Sequence, residues 1–387
     1  MPNKLVETIG RQAQRYGRRE AYRFCWRKDG EWLSTSWEEF AAQISVAARS
    51  LAMLGTEEKD TIAICSPNTP QILITEFGGF FNRAAVIPVY SGSSQEQFDF
   101  IVANGGARII FVGDKHQYPL AYRYAKAHPD KIDRIIVFKN SGFDFEPDDT
   151  LSISWDDFIR MGMEAPEEIH RLVKQRSERG LPDDPATLIY TSGTTGEPKG
   201  VIISHANYDA AMEMHLKALT TVTDDDLSMA FLPMSHILEK AWTFFCITKG
   251  IRIAVNYDPR LIQDTIHAVH PNLMCCVPRF WEKVYAGVKE RIASMGWLQR
   301  MAVRRALKIG RRRNLDYLRL GRLLALVIAD QPLADKLGTH AALLGLHQYY
   351  ATNSRIDADK LEAHREAASA DPLLSVIFHR LELVSWL

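Results

Sequence analysis

The sequence carries no surplus of either charge, with Lys+Arg and Asp+Glu standing at 47 each over 387 residues. That balance gives no electrostatic footprint for a nucleic-acid partner. Cysteine is scarce. Cys25, Cys65, Cys246, Cys275 and Cys276 are scattered, and no pair has C-x-x-C spacing, so neither a zinc site nor a redox motif is indicated. An odd, dispersed set fits a reducing cytoplasm. The opening MPNKLVETIGRQAQRYGRRE lacks an apolar h-region and reads as no signal peptide. Long apolar runs are also missing. The most apolar stretch, Phe244 to Val255, is interrupted by Lys249 and Arg252 and is too short and polar to span a bilayer. There is no internal repeat and no low-complexity segment. The remaining composition, 46% hydrophobic and 24% charged, is that of a soluble globular protein with enough chain for two or three packed layers.

The pattern along the chain alternates. Residues 20–35 read as a hairpin about Asp29-Gly30. Ser36-Trp37-Glu38-Glu39 is a capping box opening a helix that ends near Gly55. TIAICS, AVIPVY, ARIIFV and RIIVF then read as strands. A helix from Thr69 to Asn82 and another capped by Ser94 through Gln97 lie between them. Continuous β-branched runs separated by helices imply a parallel sheet covered on both faces. Polar residues 140–185 read as connecting structure on the surface. A second alternating set follows in TLIYT, GVIIS, SMAFLP, IRIAV and LMCCV. The expectation is an α/β protein of two doubly wound subdomains, 1–180 and 181–338, the second incomplete, with 339–387 an unassigned divergent tail.

The chemistry is densest in Tyr190-Thr191-Ser192-Gly193-Thr194-Thr195-Gly196-Glu197-Pro198-Lys199-Gly200. Glycines let backbone approach a ligand closely, hydroxyls donate to phosphate oxygens, and Lys199 adds a mobile positive charge. Backbone N–H groups in such a turn form an anion nest. The reading is a polyphosphate cradle, against the bland alternative of a Gly/Ser/Thr-rich surface loop. It is not the P-loop of NTPases, because Pro198 precedes Lys199, Gly200 follows it, and a strand comes next.

TLIYTSGTTGEPKGVIISH resembles the signature of the adenylate-forming (AMP-binding) superfamily of acyl-CoA synthetases, peptide-synthetase adenylation domains and luciferases. LPMSHILEKAW at 232–242 and VPRFWEKVY resemble its long-chain fatty-acid–CoA ligase branch. VIPVYSGSSQEQFDFIVANGGARIIFV resembles its first subdomain. The resemblance covers roughly residues 5 to 337. It implies the N-terminal domain of an adenylate-forming enzyme and a two-step reaction. ATP and a fatty acid give acyl-AMP and pyrophosphate, and CoA then takes the acyl group and releases AMP. By the same resemblance, Ser192, Gly193, Thr194, Thr195, Gly196 and Lys199 cradle the β- and γ-phosphates. Thr191 contacts nucleotide phosphate and Mg²⁺, a hard cation suited to oxygen ligands. His236 lies near the acyl carboxylate and the α-phosphate. A lone His is more often a surface or satisfied core residue. Trp242 reads as core or as a wall of the acyl entrance, and Cys275 and Cys276 as buried, inert thiols.

The sequence also departs from the family. The only Tyr-Gly is Tyr16-Gly17, so the Tyr-Gly-x-Thr-Glu block, whose Glu completes the Mg²⁺ site, is absent. So are the ribose-holding Thr-Gly-Asp block, the hinge, and the small C-terminal domain with its Lys. A frameshift or premature stop is one account, a divergent replacement another. The competing functions are another carboxylate-adenylating enzyme, such as a fatty acyl-AMP or aryl-acid ligase, and a non-enzymatic nucleotide- or acyl-binding remnant. Between Arg304 and Arg322 stand Arg304, Arg305, Lys308, Arg311, Arg312, Arg313, Arg319 and Arg322 against Asp316 alone. The bland reading is a solvated helix face. The functional one is contact with anionic lipid at the inner face of a membrane, each basic residue contributing about 1 kcal/mol.

Overall fold

The computed structural model describes residues 3–26, 30–139, 143–192 and 198–309. The chain divides into two compact units at Cys275 and Cys276. The first opens with α1 (Lys4–Tyr16), capped by the Asn3 side chain, and the hairpin of β1 (Glu20–Phe24) and β2 (Leu33–Ser36). Ser36 and Glu39 then close a capping box on α2 (Trp37–Met53). Next come β3 (Thr61–Cys65), α3 (Pro70–Phe81), β4 (Ala85–Val89), α4 (Gln95–Gly105), β5 (Ile109–Val112), α5 (Tyr118–Ala127) and β6 (Arg134–Val137). In α4 the Ser94 and Gln97 capping box forms as the sequence predicts.

The polar stretch 140–185 is not merely connecting structure. It contains an edge strand, β7 (Ser152–Ser154), and two helices, α6 (Trp155–Met163) and α7 (Glu167–Glu178). Ser154 caps α6 by accepting from the Asp157 N–H. The helix lies tightly on α2, where Ser50 Oγ donates to the Phe158 carbonyl at 2.6 Å and Arg49 Nε to the Gly162 carbonyl at 2.8 Å. A Cβ on Gly162 would stand 2.2 Å from the Val46 carbonyl oxygen, so only glycine allows this approach.

The remaining elements of the first unit are β8 (Pro185–Ser192), β9 (Pro198–Ser204), α8 (His205–Ala218), β10 (Leu227–Ala230), α9 (Ile237–Lys249), β11 (Arg252–Val255), α10 (Ile262–Val269) and β12 (Leu273–Met274). Among the described residues the strands form two sheets, ordered β7-β6-β5-β3-β4-β8-β9 and β12-β10-β11-β1-β2. All neighbours are parallel except the outermost pairs β8/β9 and β1/β2. The sheets do not follow a division at residue 180. β8 and β9 extend the sheet begun at β3, and β1 and β2 complete the sheet that holds β10 to β12.

Strand periodicity assigns each face. Ile62 and Ile64 of β3, with Ile109 and Phe111 of β5, enter the core that also takes residues of α1, α2, α3, α8, α9, β1 and β11. The intervening Ala63, Cys65, Ile110 and Val112 face α4 and α5. Parallel strands of this kind are buried on both sides, which is why they read as unbroken apolar runs. Cys275 and Cys276 are half-buried, and Cys65 and Cys246 are fully buried. The described part of the second unit is α11 (Pro278–Ser294) and a helix over 297–309. No helix among the described residues is long and apolar enough to cross a membrane.

Candidate functional site

In open α/β sheets, ligands bind outside the carboxyl ends of the strands. Here the carboxyl edges of the two sheets are tied together. After β3, Asn68 Nδ2 donates to the Leu232 carbonyl (2.8 Å) beyond β10, and its Oδ1 accepts from the Met234 N–H (2.9 Å). After β11, the Tyr257 hydroxyl donates to Asp114, which follows β5. After β6, Lys139 Nζ stands 4.6 Å from the centre of the Trp26 ring, which follows β1.

The phosphate-cradle sequence leaves this edge as the β8/β9 hairpin. Register pairs Thr191 with Lys199 and Tyr190 with Gly200. Residues directly opposite in an antiparallel pair project to the same face. The stem therefore presents the Thr191 hydroxyl and the Lys199 ammonium side by side, and both are exposed. One step down, the Tyr190 ring lies over Gly200, where a Cβ would stand 3.1 Å from the ring. The Tyr190 hydroxyl donates to Asn104 of α4 at 2.7 Å, and the ring meets Phe100 edge to face. Burial raises the pKa of this phenol, which keeps it a neutral donor. Sequence reasoning does not single out Tyr190 or Gly200 as anchors. Gly193, Thr194, Thr195, Gly196 and the side chain of Ser192 lie outside the described residues.

His236 is the N-cap of α9, and its Nδ1 accepts from the Leu238 N–H at 3.2 Å. With Nδ1 used as acceptor, the proton of the neutral ring sits on Nε2, which is left as a donor on an exposed residue. Beneath it the helix is unusual. Glu239 and Lys240 are both fully buried. Glu239 Oε2 accepts from the Leu232 N–H at 3.1 Å. Burial pushes its carboxyl up to about 8, outweighing the bonds from Leu232, Thr243 and Phe231 that favour the carboxylate. Lys240 Nζ pairs with Glu76 of α3, whose carboxyl is likewise raised by burial. Trp242 is half-buried, donates to Ser228 Oγ at 2.9 Å and packs on Phe245.

For a divalent cation, the described residues offer no group of three or more His, Cys, Asp or Glu side chains. They do offer the Thr191 hydroxyl beside Lys199. That fits a Mg²⁺ held chiefly by nucleotide oxygens and water, with one protein oxygen. Of the basic stretch, Arg304, Arg305 and Lys308 are exposed, and Arg311 to Arg322 lie outside the described residues.

Residues 9–351 match the family model of AMP-binding enzymes. The match runs past residue 338, so it takes in the first part of the stretch read from the sequence as an unassigned tail. The long-chain-fatty-acid–CoA ligase ACSBG2 of Gallus gallus is 26% identical over 324 residues, covering 82% of this chain and 41% of the relative. The inhibitor-bound N-terminal domain of FACL13 from Mycobacterium tuberculosis superposes with a TM-score of 0.56 at 20% identity, over 71% of this chain and 62% of that one. The adenylation domain of a carboxylate reductase from Mycobacterium chelonae gives a TM-score of 0.61 at 21% identity, over 76% and 48%. This chain thus spans about half of the length of the curated relatives it matches.

Proposed function

The chain belongs to the AMP-binding enzyme family, and from that membership we propose that it carries the nucleotide-binding and acyl-binding face of a long-chain fatty-acid–CoA ligase. The observation that carries the proposal is the hairpin stem. Thr191 and Lys199 share one face at the carboxyl edge of the larger sheet and flank the Gly/Ser/Thr loop. A triphosphate lying along that face would meet a cation, hydroxyls and backbone donors together.

In the proposed reaction a fatty-acid carboxylate oxygen bonds to the α-phosphorus of ATP. The bond to the β-phosphate oxygen breaks, and pyrophosphate leaves. The CoA thiol, losing its proton, then bonds to the acyl carbon as AMP departs. No protein nucleophile is needed. Lys199 stabilises negative charge on the phosphates, and Thr191 contributes one oxygen toward Mg²⁺, which neutralises phosphate charge when bound. His236 offers Nε2–H to an oxygen of the acyl-phosphate centre. Catalysis is then positioning plus charge stabilisation.

Two finer statements belong to the same proposal. The sequence lacks the Tyr-Gly-x-Thr-Glu and Thr-Gly-Asp blocks, and these 387 residues by themselves should therefore adenylate slowly. The cytoplasmic enzyme would touch an anionic membrane through the basic stretch from Arg304 to Arg322.

The test is ATP–pyrophosphate exchange with palmitate, alongside titration calorimetry with ATP·Mg²⁺, on wild type and Lys199→Ala. An oriented donor or charge contributes about 10²–10³ in rate where it stabilises the transition state. Exchange that drops in the variant supports the ligase reading. ATP binding without exchange, weakened by Lys199→Ala, supports the nucleotide-binding remnant. Equal affinities and equal exchange rates would remove the phosphate-cradle role.

A further inference from the structure

The segment 231–236, which delivers His236 to the head of α9, is short, irregular and tied down from another sheet. Asn68 sits between Pro67 and Pro70, in the turn from β3 into α3, and is nearly fully buried at 6% exposure. Its amide makes two bonds to one strand of backbone, donating to the Leu232 carbonyl and accepting from the Met234 N–H. Residues 232 and 234 are two apart, so the amide bonds them much as a neighbouring strand would. The geometry fixes the orientation of the amide as well, because a backbone N–H can only donate and a carbonyl can only accept. Leu232 is held a second time through its N–H by the buried carboxyl of Glu239. From there the chain has little freedom. The His236 N–H donates back to the Pro233 carbonyl at 2.9 Å, and the His236 ring caps Leu238.

We propose that Asn68 is a positioning residue for the acyl-phosphate centre. Its amide clamps the segment leaving β10 to the carboxyl edge of the other sheet, and so fixes where His236 presents Nε2–H. Asn68 itself touches no reacting atom. The proposal rests on the reading of His236 given above, and the two can fail separately.

Removing the clamp frees the Met234 N–H and the Leu232 carbonyl. Each lost bond weakens local closure by a few-fold, and the two together by on the order of tenfold. Peptide-resolved hydrogen exchange would be followed on the full chain for wild type, Asn68→Ala and Asn68→Asp. The aspartate keeps the shape and the acceptor for Met234 but turns an oxygen toward the Leu232 carbonyl, so it guards against a variant that fails to fold. The expected result is exchange accelerated by on the order of tenfold in peptides covering 231–239, with peptides from α2 and β5 unchanged. Affinity for a palmitoyl-sulfamoyl adenosine probe should fall in Asn68→Ala and in His236→Ala, and the double variant should be no weaker than His236→Ala alone. Unchanged exchange over 231–239 in both Asn68 variants overturns the proposal, as does acceleration spread evenly over the chain. So does a double variant whose losses simply add. If local exchange responds but His236→Ala leaves probe affinity intact, the clamp stands and the role given to His236 falls.

Discussion

Replacing Glu239 by glutamine should make the protein more stable at neutral pH. The carboxyl is wholly buried, and its pKa is pushed from 4.5 to about 8 by that burial. Between these values the folded state keeps a proton that the unfolded chain has released. Stability therefore falls as pH rises through that window, and the loss is complete only above the folded value. Each step of one in pH across the window costs about 1.4 kcal/mol, so at pH 7 the burden is about 3 kcal/mol. Glutamine has the shape of the protonated acid. It can accept from the Leu232 N–H as Glu239 does and donate toward Thr243, with no proton to acquire. Urea unfolding of wild type and Glu239→Gln would be compared from pH 5 to pH 8.5. The curves should nearly meet at pH 5 and separate by about 1.4 kcal/mol for each step of one in pH above it. Comparing the two proteins cancels the contribution of Glu76, which is raised in the same direction. A difference that does not change with pH would mean that Glu239 is ionised throughout, and the reasoning would fail.

Lys240→Met should cost about 3–5 kcal/mol by leaving Glu76 buried without its cation, and Lys240→Met with Glu76→Gln should recover most of that, read from urea midpoints. Gly200→Ala would place a Cβ 3.1 Å from the Tyr190 ring and press the ring away from Asn104. Differential scanning calorimetry should register the displaced ring as a lowered melting temperature, whereas an unchanged one would mean the ring is not held there. The exposed Arg304, Arg305 and Lys308 lead to weak co-sedimentation with phosphatidylglycerol vesicles at low salt that disappears at high salt. Surface charges are screened beyond about 8 Å at physiological ionic strength, so binding that survives high salt would reject the electrostatic contact.

Local signals are legible where chemistry acts over a few residues. The Ser36/Glu39 and Ser94/Gln97 boxes form as the spacing predicts, because the cap joins residues only three apart in the chain. Strands buried on both faces announce themselves as unbroken apolar runs. The region 140–185 misleads because composition hides periodicity. In α7 only Val173 is buried, so its sequence looks like a solvated connection. The Ser154/Asp157 cap and the spacing of Trp155, Phe158 and Ile159 are the available signs of α6. The pairing of β1 with β11 is beyond local pattern altogether, since Tyr22 meets Ile253 across most of the unit. At the candidate site, the motif points to Thr191 and Lys199, whose contact with phosphate is proposed, whereas nothing in it points to the supports. One sign of them exists. Glu76 stands alone in the apolar helix PQILITEFGGFF, and Glu239-Lys240 alone in an otherwise apolar run. Charges so placed are seldom buried unless paired.

Those supports have a common logic. Asn68, Glu239 and the Lys240–Glu76 pair all act close to His236: Asn68 and Glu76 reach it from far away in sequence, and Glu239 ties α9 back to Leu232 in the segment before it. None is a good choice for stability alone. A buried ion pair is often no better than well-packed apolar residues, and a carboxyl held protonated at neutral pH is a burden to the fold. Simple packing of leucine against leucine would hold the helix but leave the segment 231–236 several ways to sit, because apolar contact is non-directional. Hydrogen bonds to Leu232 from both its N–H and its carbonyl, and to the Met234 N–H, leave it one. On the role proposed for His236, the arrangement trades folding free energy for the position of a single ring. The Glu239→Gln comparison and the Asn68 variants probe the two sides of that exchange, stability gained where a burden is relieved and placement lost where a clamp is cut.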